Sequence, residues 1–243
     1  MPRNITKVLG QNMLVDRLVL RKILDAASIG KNETVLEAGT GQGILTTELS
    51  KVAKSVISYE VDRKLFGQAE ERLHFQNLKL VNADLFRTRN LCFDIFVSNL
   101  PYSRSRDAFE WLAMQKFDRA IVMVQEEFAD KLAARPGDKK YRAISALTAS
   151  CFGIEKLFKV GRESFEPQPK IASVVIRVIA INAVAKETIR MLNLLFSKRN
   201  KKASTVASKA GVQADFGRKR IDQLVPTDLI DIAESMSNVH SIR

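Results

Sequence analysis

Apolar and polar positions along this chain switch repeatedly between two periods. From Asp16 to Ala27 the residues Leu18, Val19, Ile23 and Leu24 recur at helical spacing. Thr34 to Glu37 has strand character and runs into glycines. Ile44 to Val52 is helical again, Ser55 to Glu60 predicts a strand, and Arg63 to Leu73 a helix. Strands follow over Leu78 to Asn82 and Phe93 to Ser98, a helix over Asp107 to Met114, and a strand over Ala120 to Val124. Helices are expected from Glu126 to Ala134 and from Tyr141 to Ser150. Such alternation predicts an α/β fold, a doubly wound and mostly parallel sheet with both faces covered. Two strands, near Ile154 to Val160 and Ser173 to Ile181, have no crossover helix between them and are expected to close the sheet as an antiparallel pair.

After Ile181 the alternation stops, and Asn182 to Ala185 reads as a joint. The rest predicts short helices: Glu187 to Phe196, Ala203 to Ala210, Arg218 to Leu224, and a last one capped by Thr227 or Asp228. The expected division is therefore 1–181 for the sheet domain and 182–243 for a small, basic, all-helical domain.

Composition narrows the function. Two cysteines (Cys92, Cys151) and two histidines (His74, His240) make a zinc site improbable, and both cysteines are expected to be reduced and buried, in an intracellular protein. Residues Met1 to Lys7 lack the apolar core of a signal peptide, and no apolar run is long enough to span a bilayer. The net charge of +12 points to a polyanionic partner. Its distribution strengthens that reading: eight cations against the single acid Asp215 lie between Phe196 and Arg220. A second cluster, Arg135, Lys139, Lys140 and Arg142, surrounds the turn signal Pro136-Gly137-Asp138.

The candidate chemistry sits at strand ends. Asn99-Leu100-Pro101-Tyr102 follows the apolar run 93–98. The Asn99 amide oxygen and a backbone carbonyl, in a turn stiffened by Pro101, suit the two hydrogens of an exocyclic amine. Tyr102 can stack on the base that carries it. Asn and Pro also serve plain strand-to-turn geometry, so the tetrad alone is weak.

Glu37-Ala38-Gly39-Thr40-Gly41-Gln42-Gly43 leaves a strand and opens a helix. A dinucleotide fingerprint G-x-G-x-x-G fits poorly, because position 44 is Ile and the third glycine falls one residue early. An acid at 37 would repel a pyrophosphate but suits a cationic ligand, and S-adenosylmethionine carries an ammonium and a sulfonium without phosphate. A tight turn with no ligand remains the third reading. Glu60 ends the next strand, where a carboxylate can accept from both ribose hydroxyls, and Asp84 ends the one after, where it can accept from an adenine amino group.

Together these residues resemble the ribosomal RNA adenine dimethyltransferases, which dimethylate two adjacent adenosines near the 3′ end of small-subunit rRNA. Gln11-Asn12-Met13-Leu14 is similar to the family's Q-N-F-L, residues 37–43 to E-x-G-x-G-x-G, and 99–102 are its N-L-P-Y. Gln125-Glu126-Glu127 is similar to Q-K-E. Ser164 to Ser173 resembles F-x-P-x-P-K-V-x-S, and Phe196 to Lys202 resembles F-x-x-R-x-K, with an archaeal flavour. The resemblance implies a Rossmann-like methyltransferase sheet with S-adenosylmethionine as cofactor and S-adenosylhomocysteine as product. Asn12, Leu14, Glu37, Gly39, Gly41, Glu60, Asp84 and Asn99 would touch the cofactor. Asn99, Leu100 and Tyr102 would hold the target base, with Phe165 sandwiching it from the other side. Arg104, Arg106, Lys139, Lys140, Lys198, Arg199, Lys201 and Lys202 are the expected RNA contacts. The implied enzyme is a cytoplasmic monomer acting on the small ribosomal subunit, with no metal and no membrane.

Two departures stand out: Met13 replaces the usual Phe, and the turn Ser103-Arg104-Ser105-Arg106-Asp107 carries two arginines and no Pro, which predicts a more basic and less rigid loop. The alternatives are a DNA adenine methyltransferase, which Leu100 disfavours because such enzymes prefer Pro there, and a ribosome-assembly factor that keeps the fold without the activity.

Overall fold

A computed structural model describes residues 12–209, 211–212 and 214–241. The expectations placed on Met1 to Lys7, on Gln11 and on Ala210 lie outside them. The elements run β1 (Met13–Leu14), α1 (Arg17–Ala27), β2 (Thr34–Ala38), α2 (Ile44–Val52), β3 (Ser55–Tyr59), α3 (Arg63–Glu70), β4 (Leu78–Val81), β5 (Ile95–Asn99), α4 (Ser105–Leu112), β6 (Arg119–Gln125) and α5 (Glu126–Leu132). They continue with α6 (Ala143–Cys151), β7 (Phe152–Val160), β8 (Phe165–Glu166), β9 (Ser173–Ala180), α7 (Lys186–Ser197), α8 (Ala203–Lys209) and α9 (Pro226–Ser241).

Seven strands form one sheet in the order β4-β3-β2-β5-β6-β9-β7. Strands β2 to β6 pair in parallel, and β9 lies antiparallel to β6. The expected closing strands are thus the last two of the sheet, with β9 inside β7. Successive residues Ile95, Phe96 and Val97 of β5 are all fully buried, as a strand covered on both faces requires. The strand order reverses between β2 and β5, and in an open α/β sheet that switch point opens a crevice beyond the carboxyl ends. Both the glycine loop and the Asn99 tetrad leave the sheet there.

The chain divides into two compact units. Within the described residues, one holds 12–108, 115–129 and 154–180. The other holds 109–114, 130–153 and 181–241. The last stretch of the second unit begins at Ile181, and that unit also takes in α6 from the middle of the chain, so it is not one continuous C-terminal segment. Its core comes from α6, α7 and α9, with Leu147, Leu192, Leu195, Leu229 and Ile232 buried and Tyr141 set edge-on to Phe196 at 5.6 Å.

Local corrections have simple causes. Arg218 to Leu224 forms only a 3₁₀ turn at Ile221–Gln223, held to Lys201 and Arg199 by backbone hydrogen bonds rather than by its own helix. Helix α9 begins at Pro226, so Thr227 and Asp228 lie in its first turn and do not cap it. Proline suits the first helical position, where its missing N–H has no partner to lose. Cys92 is exposed, while Cys151 is buried as expected.

Candidate active site

Four strand ends meet at the switch point and are tied together by backbone. Gly39 N–H donates to the Tyr59 carbonyl at 2.8 Å, Glu60 N–H to Val81 at 3.0 Å, and the Ser98 hydroxyl to the Ala38 carbonyl at 2.6 Å. These bonds fix the exits of β2, β3, β4 and β5 against one another. Two cavities open over them. The first is lined by Asn12, Leu14, Glu37, Gly39, Gly41, Glu60 and Asn99, the second by Glu60, Asp84, Phe86, Leu100 and Arg104. Gly39, Glu60 and Pro101 line both.

Glu37 is the most unusual group in the site. It is fully buried. Oε2 accepts from the Thr46 and Ser58 hydroxyls, both at 2.6 Å, while Oε1 has no partner. Burial pushes its carboxyl up to about 7; the charge of Glu60 adds to this, and the two hydroxyls oppose it. A buried oxygen left without a donor in a cavity wall fits an incoming cation. Glu60 is held differently: Oε2 accepts Gly41 N–H at 2.8 Å and Oε1 accepts Asp62 N–H at 2.9 Å. Each oxygen keeps a further lone pair, so the carboxylate is oriented and still able to accept.

The glycines divide by task. Gly39 has φ +86°, and an added Cβ would meet nothing within 4 Å, so the backbone leaves space on the cavity side. Gly43 has φ +77°, and there a Cβ would come 2.7 Å from Leu73 Cδ1, so a side chain would have to displace the end of Leu73 as well as adopt a left-handed backbone. The orphaned Glu37 oxygen, the bare Gly39 backbone and the oriented Glu60 carboxylate fit a cationic nucleoside ligand such as S-adenosylmethionine.

The tetrad ends β5. Leu100 is buried and Asn99 half-buried. Tyr102 opens a 3₁₀ turn and shares a 2.7 Å hydrogen bond between its hydroxyl and Ser173 Oγ; burial raises its phenol. Phe165 departs from expectation. It pairs with Leu14 in the two-stranded β1–β8 ribbon, is 3 % exposed and packs into the core with Leu14, Leu20 and Ile23. Its ring therefore offers no free face to a base. The apolar pattern of 13–14 and 165 pulls that ring inward.

The turn after Tyr102 is neither loose nor free. Residues 102–104 form the 3₁₀ turn that leads directly into α4. Arg104 is engaged with Asp84 at 3.1 Å and lines the second cavity, while Arg106 is exposed. Sequence reasoning missed four positions here: Thr46, Ser58, Ser173 and the inward role of Arg104. Ser58 stands opposite Glu37 in the parallel register, a signal visible only after the strands are paired.

In the second unit, Lys139, Lys140, Lys198, Lys201 and Lys202 are exposed and Arg199 is half-buried. Ala203 N–H donates to Lys219, Ile221 N–H to Lys201, and Gly137 N–H to Asp222. These bonds gather the two basic clusters, distant in sequence, onto one framework. Lys140 is ion-paired with Asp130 at 2.7 Å. Among the described residues no group of His, Cys, Asp and Glu could hold a metal, and no helix is long and apolar enough to cross a membrane.

The family description "Ribosomal RNA adenine dimethylase" matches residues 3–242. A Pyrococcus abyssi protein named "Probable ribosomal RNA small subunit methyltransferase A" is 30 % identical, covering 93 % of this chain and 90 % of its own. A Thermotoga neapolitana protein, "Ribosomal RNA small subunit methyltransferase A", is 34 % identical over 81 % of this chain and 77 % of its own. Among solved structures, a dimethyladenosine transferase from Plasmodium falciparum superposes with a TM-score of 0.73 at 25 % identity, over 90 % of this chain and 95 % of that one. The 23S rRNA methyltransferase ErmE shares the fold, with a TM-score of 0.63 at 24 % identity over 93 % of this chain and 99 % of that one.

Proposed function

The chain belongs to the ribosomal RNA adenine dimethylase family, and from that premise we propose that it dimethylates the exocyclic amine of two adjacent adenosines near the 3′ end of small-subunit rRNA. The enzyme class, an rRNA adenine dimethyltransferase of Rossmann-like fold, follows from the family itself. The observation that carries the reading is the cavity in which Asn99 faces the same space as Glu37 and Glu60. An amine donor and a cationic cofactor held there would lie side by side.

S-adenosylmethionine, when bound, supplies an electrophilic methyl group on a sulfonium. Glu37, Glu60, Asp84 and the Gly39 backbone are the residues that would hold it. Adenine's amine is a poor nucleophile because its lone pair is delocalised into the ring. Hydrogen bonds from that amine to the Asn99 side chain and the Leu100 carbonyl localise the pair and set its direction, and alignment is a large share of such a step. The base must leave its stack to reach Asn99, at a cost of a few kcal/mol. Tyr102, its ring oriented through Ser173, offsets that cost by stacking, worth about 1–3 kcal/mol. No strong base is required, since the proton can leave late to water. The basic framework around Lys139, Lys198, Arg199, Lys201 and Lys202 contacts phosphates, so a folded particle rather than a sequence is recognised. The protein works as a cytoplasmic monomer.

Labelled methyl transfer tests the reading on undermethylated small subunits, naked rRNA and duplex DNA in parallel. Incorporation into small subunits, as two methyls per target adenosine, is expected. Incorporation confined to large-subunit rRNA or to duplex DNA would overturn it.

A further inference from the structure

Arg104 was expected to face RNA and instead belongs to the cofactor side of the site. It sits one residue beyond Ser103 in the turn that carries Tyr102. Its Nη2 lies 3.1 Å from both Asp84 oxygens, and its Nε approaches Asp107 Oδ2 at 2.9 Å without a hydrogen bond. The guanidinium carbon stands 5.0 Å from the centre of the Phe86 ring, within cation–π range. Its side chain is 25 % exposed and that of Asp84 21 %. Arg104, Asp84 and Phe86 line the same cavity as Glu60 and Leu100.

The acceptor positions of Asp84 can be assigned. A carboxylate offers about four lone-pair sites. Oδ1 accepts Phe86 N–H at 3.1 Å and Arg104; Oδ2 accepts Arg104, and the highly exposed Arg87 approaches it at 3.6 Å. One good acceptor site remains, on Oδ2. The contact is made by Nη2 alone rather than by a two-nitrogen fork, but the rigid guanidinium plane to which Nη2 belongs also lies against the Phe86 ring, a combination a flexible ammonium does not reproduce. The guanidinium can hold a carboxylate at one angle while its face covers an aromatic ring.

We infer that Arg104 is a positioning residue: it fixes Asp84 with a single open acceptor and walls the adenosine part of the cofactor cavity, so that the site selects a purine edge that donates a hydrogen over one that accepts. The inference rests on the cofactor reading above. At position 6 a 6-amino purine fills the open acceptor, whereas a 6-oxo purine sets two acceptors against each other and moves its donor one atom away to N1–H, out of register with Asp84, and sites built around a polar partner reject the mismatched ligand strongly.

Calorimetric binding of S-adenosylhomocysteine and of its 6-oxo analogue, S-inosylhomocysteine, separates the possibilities. Wild type should favour the adenine ligand by about tenfold or more. Arg104→Met should weaken the adenine ligand about five- to tenfold while moving the inosine ligand less than about twofold, so that the discrimination collapses. Arg104→Lys should fall between the two, and it carries the measurement if the Met variant melts below the working temperature. Equal weakening of both ligands would reduce Arg104 to a wall and overturn the inference. Tighter adenine binding in Arg104→Met would overturn it too, by showing the guanidinium in the amine's place. A wild-type protein that binds neither ligand defeats the cofactor reading itself, a distinct result.

Discussion

Glu33, just before the five-residue strand β2, and Glu37, its penultimate residue, are treated oppositely. At the amino end both Glu33 oxygens receive Arg119, from Nη1 and Nη2, each at 2.9 Å. The hydrogen bonds from Arg119 hold that carboxyl below its ordinary value. At the carboxyl end Glu37 is buried, half-partnered and pushed up to about 7. Strand β5 repeats the contrast: Asp94 before it accepts Thr34 N–H at 2.7 Å, while Asn99 at its end faces the cavity. The amino ends of the sheet are closed for stability, and the carboxyl ends are left open for a ligand. Polar groups left unsatisfied in a folded protein cluster where function needs them.

The sharpest break in this contrast should come from Asn99. Asn99→Ala is expected to lower methyl transfer by about a thousandfold, the scale of removing one fixed polar group from a transition state. S-adenosylhomocysteine affinity, to which Asn99 is one contact among several, should fall far less, by under about tenfold, read by calorimetry on the same preparation. Transfer at the wild-type rate would remove Asn99 from the chemistry.

Next in size is the basic framework, which lies outside both strand ends. Replacing Lys198, Arg199, Lys201 and Lys202 together by Gln should flatten the salt dependence of RNA binding by a slope of roughly 3, given roughly 0.7 per phosphate contact on single strands. Cofactor affinity should not move. An unchanged slope would mean that these charges only keep the protein soluble.

Glu37→Gln tests the open end through pH. The folded-state value of Glu37, about 7, lies above the ordinary glutamate value of 4.5, so the folded protein holds the extra proton between them. Glu37 is therefore harmless to stability below about 4.5 and costs progressively more as pH rises through 7, reaching about 3 kcal/mol. Gln mimics the protonated form. Its melting temperature should match wild type at low pH and exceed it at pH 8, while S-adenosylhomocysteine affinity falls by about tenfold or more. A melting difference that does not change with pH would sink the account of Glu37.

What the sequence disclosed follows the same division. Strand exits were legible because apolar runs end in residues whose chemistry the run does not need: Glu37, Glu60, Asp84 and Asn99. The parallel sheet and its antiparallel end followed from spacing. What strand register and turn geometry add was hidden. Ser58 and Thr46 support Glu37 only once strand register brings them beside it. Arg104 looked like surface charge because charge carries no direction in a sequence, and only the turn after Pro101 aims it at Asp84. Phe165 misled for the converse reason, since an aromatic in a motif does not say which face of a two-stranded ribbon it takes. The two basic clusters were visible singly, but the Gly137 to Asp222 hydrogen bond that joins them was not.

The smallest effect belongs to the closed end. Arg119 commits four of its five N–H donors locally: Nη1 and Nη2 on Glu33, Nε on the Ala27 carbonyl at 2.9 Å, and Nη2 again on Ser28 at 2.8 Å. Arg119→Met leaves the partly buried Glu33 carboxylate with the Gly30 N–H alone and takes a donor from two carbonyls, which should cost about 1–3 kcal/mol in urea unfolding. Because the Glu33 value is lowered in the fold, the contribution of the pair is present above the unfolded carboxyl value and is lost as pH falls through the lowered one. Wild type should thus exceed the variant by a steady margin from pH 6 to 8 and lose that margin in acid, whereas Glu37→Gln exceeds wild type at pH 8: the two effects are opposite in sign. S-adenosylhomocysteine affinity should stay within about twofold, since no ligand group meets this end of the sheet. If cofactor affinity fell with stability, the two ends of β2 would be coupled rather than divided in task, and the contrast between Glu33 and Glu37 would describe one cooperative strand.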